Sequence, residues 1–325
     1  MTDNTAILHA CALNGDGKQH PLTGDAISQT MRDDALVWAH LDANDPASRA
    51  WLETEITYLD HIIIDALLAE ETRPRIVEFE EGALLILRGV NLNENAEPED
   101  MISVRLWIDA HRIISIQRRP LRAIKDIRDR LMVGKGPKNL GDFICALAAR
   151  LFENMEPIFS ELDDKLDDVE ERVMENPEPA ERQAITLIRK QAILFRRYIA
   201  PQRDVIAHLR ISEQPWLDQM HKRRLQETMD RVVRYVEDLD AMRERAQIIK
   251  DELVNGLADR MNKNMYMLSV IAAIFLPLGF LTGLLGVNVG GIPGAENGYA
   301  FWIFIAMLVG VVAIQIILFK KLKWF

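Results

Sequence analysis

Hydrophobic and polar positions separate sharply in the last quarter of the 325-residue sequence. Met265–Leu285 and Tyr299–Phe319 are apolar stretches of 21 residues each, and Glu296, in the polar break between them, is the only charged residue from Met265 to Phe319. At ~1.5 Å of rise per residue, each stretch matches the ~30 Å hydrocarbon core of a bilayer. The pattern predicts a two-helix transmembrane hairpin.

The first 140 residues follow a different pattern. Short apolar or alternating runs typical of strands are interleaved with short amphipathic helices. The expected strands are Ala35–Leu41, Arg75–Phe79, Ala83–Val90, Ser103–Ile108 and Ile113–Gln117, and the expected helices are Ala47–Leu52, Ile62–Glu70 and Leu121–Val133. Glycines and a proline in Gly134–Gly141 mark a boundary, so we predict an α/β domain over residues 1–140.

Helical periodicity dominates from Asp142 onward. Asp142–Met174 is expected to form one amphipathic helix and Glu181–Ile211 the next, whereas Pro215 opens a helix with no further proline until Pro277. Such a helix is too long for a globular domain. The predicted fold class is therefore an α+β cytoplasmic domain, then long stalk helices over residues 141–264, then a transmembrane hairpin over residues 265–325. The alternative interpretation of the long helix is a coiled-coil signalling stalk.

Charges beside the apolar stretches predict the orientation of the hairpin. Arg260 and Lys263 precede the first stretch, and the second is followed by Lys320, Lys321 and Lys323. Lys and Arg are enriched on the cytoplasmic side of membrane helices, and the connecting loop has neither, so both termini are expected in the cytoplasm. The N-terminal residues also lack the pattern of a signal peptide.

The composition narrows the function classes. A net charge of −10 argues against nucleic acid as a partner. An acidic surface attracts divalent cations, although ordinary acidic proteins share this balance. Cys11 and Cys145 fit a reducing compartment and imply no disulfide framework. We find no phosphate loop, nucleophile elbow or metalloprotease motif, so the sequence predicts no enzyme and no resident cofactor.

The loop between the stretches carries the first candidate site. Two spanning helices cannot enclose a pore, so the hairpin either anchors the chain or assembles with further copies around an axis. The loop begins Gly286-Val287-Asn288, where glycine frees the backbone beside a single amide side chain. A ring of Asn288 side chains would offer neutral oxygens to a cation or to its water shell. This tripeptide is the predicted selectivity filter.

A stripe of small and polar residues leads away from this loop at alternating spacings of four and three. Its bulky neighbours suit contacts with lipid or helices, whereas small and polar residues suit a pore or a close helix crossing. We interpret the stripe as pore-lining, with close helix packing as the alternative. Its members are Gly283, Gly279, Leu276, Ala272, Ser269, Met265, Asn262, Ala258, Asn255 and Asp251.

These features together resemble the CorA-type metal-ion transporters, whose signature at this location is Gly-Met-Asn; here Val287 replaces the methionine. The continuation Val-Gly-Gly-Ile-Pro-Gly is similar to the ZntB branch of bacterial zinc transporters. The resemblance covers nearly the whole chain. Its further motifs are Glu71-Thr72-Arg73-Pro74-Arg75, Arg196-Arg197-Tyr198-Ile199-Ala200-Pro201-Gln202-Arg203-Asp204 and Phe275-Leu276-Pro277.

The resemblance implies a funnel-shaped homopentamer in the bacterial inner membrane, with the first membrane helix lining the pore. It also implies zinc uptake coupled to protons. The residues themselves leave the cargo open, since neither span has a His, Cys, Asp or Glu to strip water from zinc. Asn288 is therefore expected to contact the ion through hydration water. Magnesium transport and a membrane-anchored cytoplasmic scaffold remain alternatives.

Groups outside the spans complete the candidates. Proton coupling without an intramembrane carboxylate has to use Glu296, Asp251 or a cytoplasmic histidine. No two of the seven histidines have the helical spacing of a metal-ligand pair. The acidic clusters Asp163-Asp164 and Asp167-Asp168 are candidates for a regulatory cation site, with a solvated helix face as the simpler interpretation.

Overall fold

The computed structural model describes residues 4–33, 35–286, 294 and 297–321. The chain divides into two compact units, Met1–Asp251 and Glu252–Phe325. The first unit combines a sheet with several helices, and most of the described residues of the second unit are helical.

A seven-stranded sheet forms the centre of the first unit. Its strand order is β2-β1-β3-β7-β6-β5-β4, and every neighbouring pair is antiparallel except β3 and β7. The strands are β1 (Ile7–Ala12), β2 (His20–Pro21), β3 (Val37–Asp42), β4 (Arg75–Glu78), β5 (Gly82–Gly89), β6 (Ile102–Asp109) and β7 (Arg112–Gln117). The helices of this region are α1 (Asp25–Arg32), α2 (Ala47–Glu55), α3 (His61–Leu68) and α4 (Arg122–Met132).

Both faces of the sheet are covered. On one face, Trp51 of α2 and Ile64 of α3 join Trp107 of β6 in the hydrophobic core. On the other face, the ring of Trp38 lies 4.9 Å from that of Phe143 in the next helix. Strand β5 is consequently buried along its whole length, which explains why its sequence is a continuous apolar run rather than an alternating one.

The predicted α+β class is confirmed for this unit, and all five predicted strands occur within three residues of their expected ends. The prediction missed β1, β2 and α1. Strand β1 contains His9 and Cys11, which are not typical strand residues. Its pairing with β3 and the contact of His9 with the Trp38 ring, at 5.0 Å, come from residues that are distant in sequence.

Long helices follow the sheet region: α5 (Leu140–Glu153), α6 (Glu156–Glu175), α7 (Glu181–Ile211) and α8 (Gln219–Leu285). The expectation of a single helix over Asp142–Met174 is wrong, because the chain breaks at Asn154 and Met155 between α5 and α6. Pro157 in the first turn of α6 explains the break, since its missing N–H cannot bond the Glu153 carbonyl. The predicted Glu181–Ile211 helix is confirmed.

Aromatic side chains hold α6, α7 and α8 together. The ring of Phe159 in α6 lies 5.1 Å from Phe195 in α7 and 5.2 Å from Tyr235 in α8, and all three residues are buried. Such edge-to-face pairs contribute ~1 kcal/mol each beyond their burial. The helices up to Asp251 cluster in one unit with the sheet, and the division at residues 140 and 264 stays a prediction.

Within the part of the chain that the structure describes, two helices are long and apolar enough to cross a membrane: α8 and α9 (Ala300–Lys321). Almost none of the residues in their most apolar windows are buried within the chain. A core helix of a soluble protein would be mostly buried. The exposed apolar surface therefore favours contact with lipid or with further copies of the chain.

Candidate ion path in the membrane hairpin

All ten residues of the predicted stripe lie on the single helix α8, and every one of them is exposed. Asp251 is the last residue of the first unit, where Gln247 donates a hydrogen bond to its carboxylate at 2.8 Å. The other nine lie in the second unit. The Ser269 hydroxyl donates to the Met265 carbonyl one turn earlier at 2.9 Å, which leaves its oxygen lone pairs available to water.

A different side of α8 contacts α9. A groove of about 700 Å³ lies between the two helices. It is lined by Phe275, Leu278, Gly279 and Thr282 of α8 and by Leu308, Val309, Val312, Ala313 and Ile316 of α9. Gly279 therefore lies at the edge between this groove and the exposed stripe, whereas the other stripe residues do not line the groove.

The C-terminal end of α8 coincides with the start of the predicted filter. The backbone N–H of Gly286 donates to the Thr282 carbonyl at 2.9 Å, directly after the helix ends at Leu285. Val287, Asn288 and Glu296 lie outside the described residues. The filter and the acidic loop residue thus stay predictions from the sequence.

Gln315 of α9 makes a polar contact with α8 that was not predicted from the sequence. Its Nε2 atom donates to the backbone carbonyl of Ala273 in α8 at 3.0 Å. Within Tyr299–Phe319 it is the only residue with a side-chain amide. That isolated amide in an apolar stretch was the available signal, because polar groups within a bilayer need a partner.

One residue of each acidic cluster of α6 is paired with an arginine from α8. Arg245 donates to Asp163 at 3.1 Å and to Asp167 and Glu170 at 2.5 Å each. Partial burial, followed by repulsion from Asp167, raises the pKa of Asp163, and hydrogen bonds to Asp167 and Glu170 raise the pKa of Arg245. No group of three or more His, Cys, Asp or Glu placed to hold a metal occurs among the described residues.

Two histidines occupy buried polar surroundings in the first unit. The Nδ1 atom of His40 lies 2.7 Å from the Ser115 hydroxyl, and burial lowers the pKa of His40 to about 4. His221, at the start of α8, has Nδ1 3.0 Å from Asp218 and Nε2 3.5 Å from Asp142. Of these two buried histidines, His221 is the one that lies between two carboxylates.

Two of the motifs behind the resemblance meet at Arg88 in β5. Its guanidinium donates to the carbonyl of Thr72 at 3.0 Å and lies 4.2 Å from the ring centroid of Tyr198. Its backbone N–H donates to the side chain of Gln202 at 2.9 Å. These motif residues therefore attach α7 to the sheet, and none of them lies on α8.

Comparisons with known proteins agree with this architecture. A family model described as CorA-like Mg2+ transporter protein matches residues 33–321. The divalent cation transporter CmaX of Pseudomonas aeruginosa is 38% identical over 327 residues, covering 99% of this chain and 98% of CmaX. The zinc transport protein ZntB of Pectobacterium atrosepticum is 37% identical over 321 residues, covering 99% and 97% of the two chains.

The fold is shared as well. The solved structure of full-length CmaX matches with a TM-score of 0.84 at 36% identity, covering 99% of each chain. An α/β region, long helices and a terminal apolar hairpin therefore define a membrane transporter for divalent cations. The chain belongs to the CorA-like Mg2+ transporter family. This membership sets aside the anchored-scaffold alternative, because the family consists of ion transporters.

Proposed function

We propose that this protein takes up zinc, with protons moving in the same direction. The observation that carries the proposal is the resemblance to ZntB of Pectobacterium atrosepticum, which is described as a zinc transport protein and matches 99% of this chain. The sequence Gly286-Val287-Asn288, with valine in place of methionine, supports the same branch of the family. The cargo is zinc, and the protein needs no resident cofactor.

The ion path runs along the exposed stripe of α8. In an assembly of several chains, Ser269, Ala272 and Leu276 face the shared axis, and α9 packs on a different side of the helix. The spacing of the stripe supports this arrangement, because it keeps small and polar residues on one side of α8. Without any strong zinc ligand in the spans, the ion crosses with much of its water shell, and Asn288 contacts that shell.

Magnesium is the second candidate cargo. The family model is described as an Mg2+ transporter, and CmaX is described only as a divalent cation transporter. Magnesium keeps its inner water shell more firmly than zinc, and a pore lined by amide, hydroxyl and small apolar groups suits a hydrated ion. Competition between the two metals is therefore the decisive observation.

Proton coupling has to use groups outside the two spans. Asp251 is exposed at the cytoplasmic part of α8, Glu296 belongs to the outer loop, and His221 sits between two carboxylates at the start of α8. Neutralising the coupling group weakens the dependence of zinc uptake on the proton gradient. If Asp251→Asn, Glu296→Gln and His221→Gln each leave that dependence unchanged, coupling through these groups is excluded.

The active unit is a homopentamer in the bacterial inner membrane, with both termini in the cytoplasm. Two spans per chain are too few to surround a hydrated ion, and Lys320 and Lys321 follow the second span, whereas no basic residue occurs in the loop. A mass measurement in detergent decides the oligomeric state. A monomer that transports metal in a bilayer would overturn the assembly.

Purified protein in liposomes tests the cargo directly. Zinc uptake is measured with and without an inward proton gradient, and again with excess magnesium outside. We expect uptake that the gradient accelerates and that magnesium inhibits only weakly. Magnesium uptake that zinc cannot displace would assign the protein to the magnesium alternative.

A further inference from the structure

Pro277 interrupts the backbone hydrogen bonding of the first membrane helix, and a side chain of the second helix bonds to the carbonyl concerned. Pro277 lies inside α8, and its nitrogen carries no hydrogen. In a regular helix that nitrogen would donate to the carbonyl four residues earlier, which belongs to Ala273. The Ala273 carbonyl is therefore left without its normal intrahelical partner, at membrane depth where no bulk water replaces it.

The Ala273 carbonyl is also the group that receives the Gln315 hydrogen bond. The distance from Nε2 to the carbonyl oxygen is 3.0 Å, within the normal range for this bond. A carbonyl only accepts, so the carboxamide has to present its NH2 group to it. The Oε1 atom of Gln315 is buried and has no hydrogen-bond partner among the described residues. The bond to Ala273 is thus the interaction that places this amide.

We propose that Gln315 is a positioning residue that replaces the hydrogen bond lost at Pro277 and thereby fixes α9 against the pore-lining helix. Ala273 directly follows Ala272 of the stripe, and Leu276 directly precedes Pro277. A freed carbonyl at this point would let the helix bend or rotate relative to α9. The functional consequence rests on the proposed function, in which α8 lines the ion path, whereas the hydrogen bond itself does not.

A double-mutant cycle with Pro277→Ala tests this role. The alanine restores the N–H and with it the intrahelical hydrogen bond to the Ala273 carbonyl. In that background the carbonyl no longer needs the Gln315 side chain as its donor. Gln315→Met keeps the length of the side chain without a donor. Ile314→Met is the matched control, because Ile314 is an exposed, apolar neighbour on α9. The four proteins of the cycle, and Ile314→Met with and without Pro277→Ala, are unfolded reversibly in mixed micelles.

Gln315→Met should raise the unfolding equilibrium constant by about threefold or more while Pro277 is present, the effect of an average interhelical bond in a membrane. In the Pro277→Ala background it should change the constant by less than about 1.5-fold, as should Ile314→Met in either background. An equal effect of Gln315→Met in both backgrounds would mean that Gln315 acts by packing alone. If Gln315→Met leaves the unfolding equilibrium constant unchanged while Pro277 is present, Gln315 does not have the proposed role.

Two further readouts keep the proposal testable. Gln315→Glu supplies a donor only while its carboxyl is protonated, so it should match the unmodified protein at low pH and lose stability at high pH. Its stability has to be compared with that of the unmodified chain at each pH, and an unchanged difference would contradict the role. In liposomes, Gln315→Met should lower the maximal zinc uptake rate with the half-saturating concentration unchanged, because α9 no longer fixes the helix that lines the ion path. If the unmodified protein moves no zinc, the proposed function fails, while the unfolding cycle still decides the role of Gln315.

Discussion

The side chain of Gln202 accepts a hydrogen bond from the backbone N–H of Arg88 at 2.9 Å, across 114 residues of sequence. Gln202 is fully buried in α7, and Arg88 lies in the buried strand β5. One face of the Arg88 guanidinium also stacks on Tyr198, one turn earlier in α7. The connection therefore attaches a long helix to the sheet through a backbone group that β-sheet pairing leaves unsatisfied.

Gln202→Leu should destabilise the first unit. The substitution leaves the Arg88 N–H buried without an acceptor, which costs about 1–3 kcal/mol of unfolding free energy. Chemical denaturation of the full chain in detergent measures this value. Gln191→Leu on the same helix is the control, because Gln191 is only partly buried and contacts Glu99 at 3.2 Å. Equal losses from the two variants would contradict the role of Gln202.

His40 should make the protein sensitive to acid. Burial, the main cause, lowers its folded pKa to about 4 from 6.5, so the folded state binds its proton less readily than the unfolded state. The stabilising contribution is complete above pH 6.5 and is lost as the pH falls toward 4, to the extent of about 3 kcal/mol. His40→Gln should flatten the dependence of unfolding on pH across this window. An unchanged pH profile would contradict the assignment.

Arg245→Met should expose the repulsion among the acidic residues of α6. Asp163, Asp167 and Glu170 then face one another without their shared cation. Because all of these groups are partly exposed, we expect a loss of about 1 kcal/mol at low salt and a smaller loss at high salt. Arg243→Met is the control, since its nearest carboxylate contact is a longer one of 3.4 Å to Asp240. A salt-independent loss would indicate packing rather than charge.

Cysteines on two sides of α8 should differ in their reaction with water-soluble thiol reagents. Ser269→Cys and Ala272→Cys, on the stripe, should react quickly, and so should Gly279→Cys at its edge. Ile274→Cys and Phe280→Cys, which lie outside the stripe, should react slowly. The measurement is the labelling rate in liposomes, and equal rates at all five positions would mean that the face is assigned wrongly.

The native thiols should interfere little with this labelling. Cys11 and Cys145 are both buried, and desolvation raises the pKa of each to about 12, so the reactive thiolate is scarce. Replacing both by alanine removes the remaining background and leaves the comparison among the introduced cysteines unaffected.

Local patterns were sufficient to predict most of the fold. The helix Glu181–Ile211 was predicted because its apolar positions recur with helical spacing after Pro177 and Pro179. The strands of the two hairpins were predicted because short apolar or alternating runs flank a likely turn. Strand β1 was missed because its stability comes from pairing with β3 rather than from its own residues. The break before α6 was missed because helical periodicity continues across it.

The candidate site was predictable only where it depends on one helix. The stripe on α8 needs only the spacing of small and polar residues. The bond from Gln315 to Ala273 joins residues 42 positions apart, and its cause, Pro277, lies on the other helix. Arg245 likewise pairs with carboxylates more than 70 positions away. Sequence patterns within one segment contain no information about such partners.

Zinc flux through the Asn288→Leu variant is the most direct test of the proposed ion path. The variant and a Val289→Leu control are placed in liposomes after their assembly has been matched by mass in detergent. An outer ring of amide oxygens that contacts the hydrated ion predicts a fall in flux of about tenfold or more for Asn288→Leu. The control should transport at nearly the rate of the unmodified protein. Near-normal zinc flux through an assembled Asn288→Leu protein would contradict the proposed ring of Asn288 side chains.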